Sequence, residues 1–239
     1  MAHYYEFYSD IVNQTHVMIG GATGSGKTVV ESGVIYNLAH DYTPDEVEMW
    51  LIDPKQMELV CYEWLPHVKH YADNDRDAIL LLDLLDMEMR RRNAEVQQMI
   101  RSTGKKYDKY PGKAIYCFID ETGDVIGRQG KEVIKRFQLL VQMARTANIH
   151  MVFCSQCFDA KMIPSHVACN ITCTVGLFVP INKKHIALTL TGNLDCTKLE
   201  DYGECIFVTR RGYEKRNVPM YTEEDWKELR KSYSLRRVI

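Results

Sequence analysis

One octet, Gly21-Ala22-Thr23-Gly24-Ser25-Gly26-Lys27-Thr28, constrains this chain more than anything else in it. It follows an apolar run, His16-Val17-Met18-Ile19, and precedes a helical pattern, so it reads as the turn between a strand and a helix. Its glycines let successive backbone N–H groups curl inward. The helix start adds unpaired amides and the positive end of a dipole, which completes an anion cradle. The spacing G-x-x-x-x-G-K-[ST] in this context is that of a phosphate loop. Residues Gly21, Ala22, Thr23, Gly24, Ser25, Gly26, Lys27, Thr28 and Val29 are then the expected contacts of ATP. Lys27 reaches the β- and γ-phosphates, and the Thr28 hydroxyl coordinates Mg²⁺.

The rest of the chain supplies the fold that such a turn needs. Short apolar, β-branched runs at 16–20, 48–53, 114–120, 150–155, 172–179 and 204–209 read as strands. Their unbroken apolar character suits a sheet buried on both faces. Helical patterns fill 27–39, about 75–99 and 131–146, and the alternation predicts an α/β fold: a mostly parallel sheet sandwiched by helices. A last helix is announced at Tyr221-Thr222-Glu223-Glu224-Asp225-Trp226, where Thr222 and Asp225 resemble a capping box. The polar stretch 102–112 (STGKKYDKYPG) reads as a surface loop.

A second chemical element sits at the end of the strand Ile115-Tyr116-Cys117-Phe118-Ile119, which delivers Asp120-Glu121. Paired carboxylates there complete a nucleotide site. Asp120 is expected to hold the Mg²⁺ shell, and Glu121 to polarise the attacking water as general base. A simple GTPase switch needs no such glutamate, so the pair favours an ATPase of the motor class. Gln156, after the strand ending in Ser155, is placed to sense the γ-phosphate or orient water.

Composition narrows the setting. The 239 residues are 46% hydrophobic and 26% charged, ordinary globular values that suit one large domain over 1–239. No apolar run approaches the length of a membrane span, and MAHYYEFYSD lacks the form of a signal peptide, so a cytoplasmic location is expected. Net charge is −2, not the excess of Lys and Arg that a free-standing DNA binder shows. Nucleic-acid contacts would have to come from local patches multiplied by oligomerisation. Cys154, Cys157, Cys169 and Cys173 raise a structural zinc, but Cys154 and Cys173 lie inside apolar strand patterns. They read as scattered cytosolic thiols.

These pieces, in this order, resemble the motor domain of the FtsK/SpoIIIE family, within the wider HerA–FtsK group of DNA pumps. The likeness extends beyond the nucleotide motifs. Asp10-Ile11 precedes the phosphate loop. Leu51-Ile52-Asp53-Pro54-Lys55, with Glu58-Leu59, Tyr62-Glu63 and Pro66-His67, is similar to the family's second-strand signature. Met87-Glu88-Met89-Arg90-Arg91-Arg92, Ala144-Arg145-Thr146-Ala147-Asn148-Ile149-His150 and Gly203-Glu204 resemble further family segments, and the likeness covers about 10–210. Two departures stand out: Cys157-Phe158 follows Gln156 where the family has Arg-Pro, and Thr122-Gly123-Asp124 follows Glu121 where it prefers a bulky residue and Ala.

The resemblance implies a RecA-like P-loop NTPase that assembles as a homo-hexamer and uses ATP to pull double-stranded DNA through its centre. A conjugative or other mobile-element setting, with a membrane-anchored or relaxase partner, is consistent with a motor-only chain. It also gives Arg145 the role of an arginine finger reaching a neighbouring subunit's γ-phosphate, against a plain helix-terminal arginine. Asp53 and Lys55 are placed near the nucleotide pocket. Arg90–Arg92, Lys183-Lys184 and Arg210-Arg211 are candidates for contacts with DNA phosphates, against solvated faces. Type VII protein-secretion motors share this domain, so a secretion ATPase stays open as the alternative.

Overall fold

The computed structural model describes residues 2–123, 125, 130–156, 158, 165–184, 191–192, 194–199 and 203–236. Eight strands form one sheet: β1 (His16–Gly20), β2 (Val47–Ile52), β3 (Val68–Ala72), β4 (Ala114–Ile119), β5 (Ile149–Ser155), β6 (Cys173–Leu177), β7 (Glu204–Thr209) and β8 (Gly212–Asn217). Their spatial order is β3-β2-β4-β5-β1-β6-β7-β8. The first six are mutually parallel, and β7 and β8 run antiparallel as a terminal hairpin. The described helices are α1 (Ala2–Val12), α2 (Lys27–Asp41), α3 (Asp75–Thr103), α4 (Lys131–Met143), the single turn α5 (Ser165–Ala168) and α6 (Glu223–Arg236).

Strand residues alternate between two cores, which is why the runs contain no polar phase. Val17 and Ile19, Met49 and Leu51, and Tyr116 and Phe118 face α1, α2 and α6. Met18, Trp50 and Ile52, and Ile115, Cys117 and Ile119 face α3 and α4. A sheet covered on both sides can be apolar throughout, as the parallel pairing requires. The two edges differ. β8, Gly212-Tyr213-Glu214-Lys215-Arg216-Asn217, is almost wholly exposed, and its charges discourage a further strand from pairing there.

α6 closes one face with aromatic contacts. The Thr222 N–H donates to Asp225 Oδ2 (2.6 Å) and the Asp225 N–H to Thr222 Oγ (3.2 Å), so the capping box forms as the spacing predicts. Trp226 packs edge-on to Tyr36 at 5.0 Å, Tyr221 stacks on Tyr36 at 3.8 Å, and the Tyr233 hydroxyl donates to the Ala39 carbonyl. α1 is tied to β8 by the Asp10–Arg216 ion pair at 2.7 Å, which gives Asp10 a structural task.

The predicted strands and the three helices with predicted bounds appear within a few residues of those bounds, and the last helix follows its capping box. α3 runs on to Thr103, so the loop begins at Gly104 and not at 102; that glycine caps the helix at φ 68°. α4 stops at Met143 because the chain turns through Asn148 at φ 56° before entering β5. Four of the elements named above were not anticipated: α1, β3, the single turn α5 and β8.

Candidate functional site

The order β4-β5-β1 sets the C-terminal ends of three parallel strands side by side, and the chain leaves all three there. Such an end, where the connections diverge, is where open α/β sheets bind ligands. β1 delivers the phosphate loop, β4 delivers Asp120-Glu121, and β5 delivers Ser155-Gln156. The three motifs, up to 135 residues apart in sequence by numbering, meet in one crevice; the Thr23–Gln156 hydrogen bond alone spans 133 positions.

The loop has the shape of a cradle. Gly24 (φ 78°) and Gly26 (φ 104°) adopt left-handed backbone that a side chain would strain. The Ala22 N–H donates to the Phe178 carbonyl at 2.8 Å, which pins the loop to the chain leaving β6. α2 begins at Lys27, and Val30 N–H to the Gly26 carbonyl (3.1 Å) is the bond that closes its first turn. The amides of Lys27, Thr28 and Val29 are therefore the unpaired donors of a helix start. Lys27 folds back, its ammonium donating to the Gly21 (3.1 Å) and Ala22 (3.0 Å) carbonyls.

Asp120 is buried at the end of β4. Burial, and then the neighbouring Glu121 and Asp53 carboxylates, push its acid up to about 6. Negative charge gathered out of water without a cation is what a divalent ion relieves. The donor set of Thr28 hydroxyl and Asp120 carboxylate is all oxygen, which fits Mg²⁺. The cradle and the lysine likewise fit a triphosphate.

Glu121 adopts φ 46°, backbone that a non-glycine residue seldom holds and that costs on the order of 1–3 kcal/mol. Its Oε1 accepts a hydrogen bond from Gln156 Nε2 at 2.7 Å, and the Lys55 ammonium lies 3.9 Å away. Gln156 Oε1 in turn accepts the Thr23 hydroxyl at 2.9 Å. A polar chain Thr23–Gln156–Glu121 thus spans the mouth of the crevice from the loop after β1 to the end of β4. Behind it the Thr122 hydroxyl donates to the Ile119 carbonyl (2.9 Å), and Ser155 Oγ accepts the Gly123 N–H (3.3 Å).

Other residues singled out in the sequence fall elsewhere. Asp53 is fully buried, and its Oδ2 accepts the Glu58 and Leu59 N–H groups at 3.0 and 2.9 Å. It braces the turn after β2, while Lys55 beside it reaches Glu121. Arg145 is exposed on the turn between α4 and β5, at the opposite end of β5 from Gln156. Of the basic runs, Arg92 is buried and spent within the fold. It pairs with Glu88 (2.7 Å) and donates to the Lys113 and Ala147 carbonyls. Arg90 pairs with Asp86, Arg91 with Glu88 and Glu95, and Lys184 with Asp195. Arg210 and Arg211 are exposed at the β7–β8 turn. Cys154 and Cys173 are buried on strands separated by β1, and Cys169 is exposed. Cys157 and Asp124 lie outside the described residues.

Sequence reasoning passed over Glu31 and the Thr23–Gln156 link. Glu31 had a signal: it is an acid on a helix whose neighbours Val30, Gly33, Val34 and Ile35 are all buried.

Residues 5–118 match the profile of the FtsK/SpoIIIE family. The DNA translocase FtsK of Staphylococcus aureus is 30% identical over 207 residues, covering 81% of this chain and 26% of that protein. This chain therefore spans about a quarter of the length of such relatives. Among solved structures, the pCW3 conjugation coupling protein TcpA superposes with a TM-score of 0.75 at 18% identity, over 95% of this chain and 66% of that one. The cytoplasmic domain of the type VII secretion ATPase EccC from Thermomonospora curvata gives 0.71 at 17% identity, over 87% of this chain and 26% of that one. The fold is that of the P-loop ATPases, and with the family profile and the FtsK relatives in agreement, this chain carries a domain of the FtsK/SpoIIIE family.

Proposed function

We propose that this chain is an ATP-dependent DNA translocase of the FtsK/SpoIIIE type, working in the cytoplasm as a homo-hexamer on double-stranded DNA. The observation that carries hydrolysis is the convergence of the Lys27–Thr28 cradle, Asp120 and the Gln156-held Glu121 at one sheet end. The FtsK relatives support DNA as the cargo, and the likeness to TcpA supports a conjugative or mobile-element setting with a relaxase or membrane-anchored partner.

The loop amides and Lys27 would hold the ATP phosphates, and Thr28 with Asp120 would hold Mg²⁺. When bound, the cation would neutralise negative charge on the phosphates. Lys27 must exchange the Gly21 and Ala22 carbonyls for phosphate oxygens, a swing within its own side-chain reach. Glu121 Oε1 is the proton acceptor for the attacking water. Gln156 fixes that oxygen and, through Thr23, links its position to the state of the loop. Arg145 cannot reach its own phosphate cradle from the far end of β5, so any catalytic part it plays is on a neighbour's.

The test is the rate of ATP hydrolysis by the purified chain with and without long duplex DNA at fixed salt. Stimulation by DNA is expected. Stimulation by a secretion-signal peptide and not by DNA would move the chain to the protein-secretion class, and hydrolysis in neither condition would remove the motor reading.

A further inference from the structure

Glu31 is the most unusual side chain around the crevice. It stands one turn after Thr28 on α2 and is 1% exposed; its carboxyl shares a hydrogen bond with the Cys154 thiol, but its Oε1 has no hydrogen-bond partner. An orphaned buried oxygen of this kind costs on the order of 1–3 kcal/mol. It is aimed at two other buried ligand-type groups. One carboxylate oxygen of Glu31, one of Asp120 and Cys154 Sγ all lie within 4.8 Å of one another. The three come from α2, β4 and β5, so the rigid sheet and the helix packed on it hold them together. Hydrolysis as derived above uses neither Glu31 nor Cys154.

We propose that Glu31, Asp120 and Cys154 form a binding site for a thiophilic divalent cation of the zinc class, which shares Asp120 with the oxygen-ligated Mg²⁺ position but draws its other ligands from different residues. The ligand chemistry selects the ion. Mg²⁺ takes oxygen and disfavours sulfur, whereas Zn²⁺ and Cd²⁺ accept thiolate with carboxylate. Three protein ligands leave a fourth tetrahedral position for water, the pattern of an open zinc site. Bonds of about 2.0–2.3 Å place tetrahedral ligand atoms roughly 3.3–3.8 Å apart. The cluster needs to contract by about 1 Å, within the reach of side-chain rotation. Burial raises both the Cys154 thiol and the Glu31 carboxyl above their ordinary ranges, and any ligand that carries a proton gives it up to solvent as the ion enters. The ion also removes the cost of the unpaired Glu31 oxygen.

One consequence rests on the proposed function. Asp120 cannot serve both cations, so zinc at this site withdraws it from the phosphate-bound Mg²⁺ and stops the motor. Glu31 and Cys154 would then make the chain sensitive to free zinc.

The experiment uses the full chain without nucleotide, with the exposed Cys61 and Cys169, and also Cys157, replaced by serine, so that Cys154 is tested against a background of buried thiols. Cadmium chloride is titrated while the thiolate-to-cadmium charge-transfer absorption is followed. The expected result is one cadmium per chain, with the band lost in Cys154→Ser and the affinity reduced about tenfold or more in Glu31→Gln. Both substitutions preserve size, and circular dichroism verifies that each variant is folded. No band in the parent, a band that persists in Cys154→Ser, or a Glu31→Gln affinity within about fivefold of the parent overturns the site. A second arm adds zinc during hydrolysis in excess Mg²⁺: the parent is expected to be inhibited and Cys154→Ser to resist. A parent that binds cadmium but never hydrolyses ATP removes the proposed function and leaves the site standing. Equal zinc inhibition of both chains overturns the link between the site and the motor.

Discussion

Gln156→Ala tests whether the polar chain across the crevice serves hydrolysis or is only a surface contact. Gln156 donates to the Glu121 carboxylate at 2.7 Å and accepts from Thr23 at 2.9 Å. A hydrogen bond to a charged group contributes about 1.5–3 kcal/mol when well shielded. Gln156 is only half-buried, which brings the figure to about 1–2 kcal/mol. With 1.36 kcal/mol per tenfold in rate, kcat is expected to fall about 5- to 30-fold. Lys55, at 3.9 Å and largely exposed, is too weakly held to replace the lost bond to Glu121 Oε1. Nucleotide affinity should change little, since Gln156 meets the phosphate loop through the Thr23 side chain alone. Steady-state ATPase assays paired with direct nucleotide binding separate the two quantities. Thr23→Val should reproduce part of the loss, and the double variant should fall short of the sum because both changes break one chain. A Gln156→Ala enzyme with kcat within about twofold of the parent, or a loss that lies wholly in nucleotide affinity, would refute the reasoning.

Lys27→Ala should lose most nucleotide affinity or turnover, whereas Glu121→Gln should still bind ATP and fail to hydrolyse it; turnover at the parent rate in Glu121→Gln would unseat it as the base. Burial holds His16 down to about 3 and His150 to about 4, below the ordinary histidine range, so the folded chain binds fewer protons than the unfolded one. Stability is then fully present above about pH 6.5 and is lost as pH falls through 4 towards 3, by several kcal/mol at most, and the urea midpoint should decline over that window less steeply in His16→Asn. A methyl at Gly33 would overlap the Tyr8 ring, which is fully buried, so Gly33→Ala should cost about 1–3 kcal/mol and lower Tm by roughly 2–10 °C despite the better helix propensity of alanine. Arg145→Ala should keep nucleotide affinity and lose DNA-stimulated hydrolysis, and mixing it with Lys27→Ala subunits should restore activity; mixed rings as inactive as either variant alone would make Arg145 structural.

What the sequence made legible was local. The phosphate loop, the Asp120-Glu121 strand end and the Thr222–Asp225 cap are each written in contiguous residues whose chemistry admits few other uses. What stayed hidden depends on distant partners. β3, Val68-Lys69-His70-Tyr71-Ala72, has no clean alternation because it is an edge strand, half-covered, that takes its conformation from pairing with β2. β8 is nearly all polar and is a strand because β7 offers it a full ladder. The triple arginine read as a phosphate-binding run, yet helix geometry sorts its members. Arg90 and Arg91 lie over acids three or four residues away, while Arg92 turns inward to bridge two carbonyls.

The same reasoning decides how Arg145 must be understood. β5 is parallel to β1 and enters the sheet at the end opposite the phosphate loop, with Arg145 before its first residue and Gln156 after its last. Seven strand residues at about 3.3 Å each separate them by roughly 20 Å or more. No rotamer of an arginine spans that distance, so its charge cannot act on the phosphates held by its own chain. The exposed Arg145 and Arg210 line one groove at this far end, together with Thr15 and Asn170. A ring that sets the phosphate mouth of one subunit against the far end of the next would bring that groove to the γ-phosphate; a ring that stacks like ends together would not. Catalysis by Arg145 is therefore a statement about subunit orientation. Restoration of activity in mixed rings would fix the head-to-tail arrangement as well as the residue.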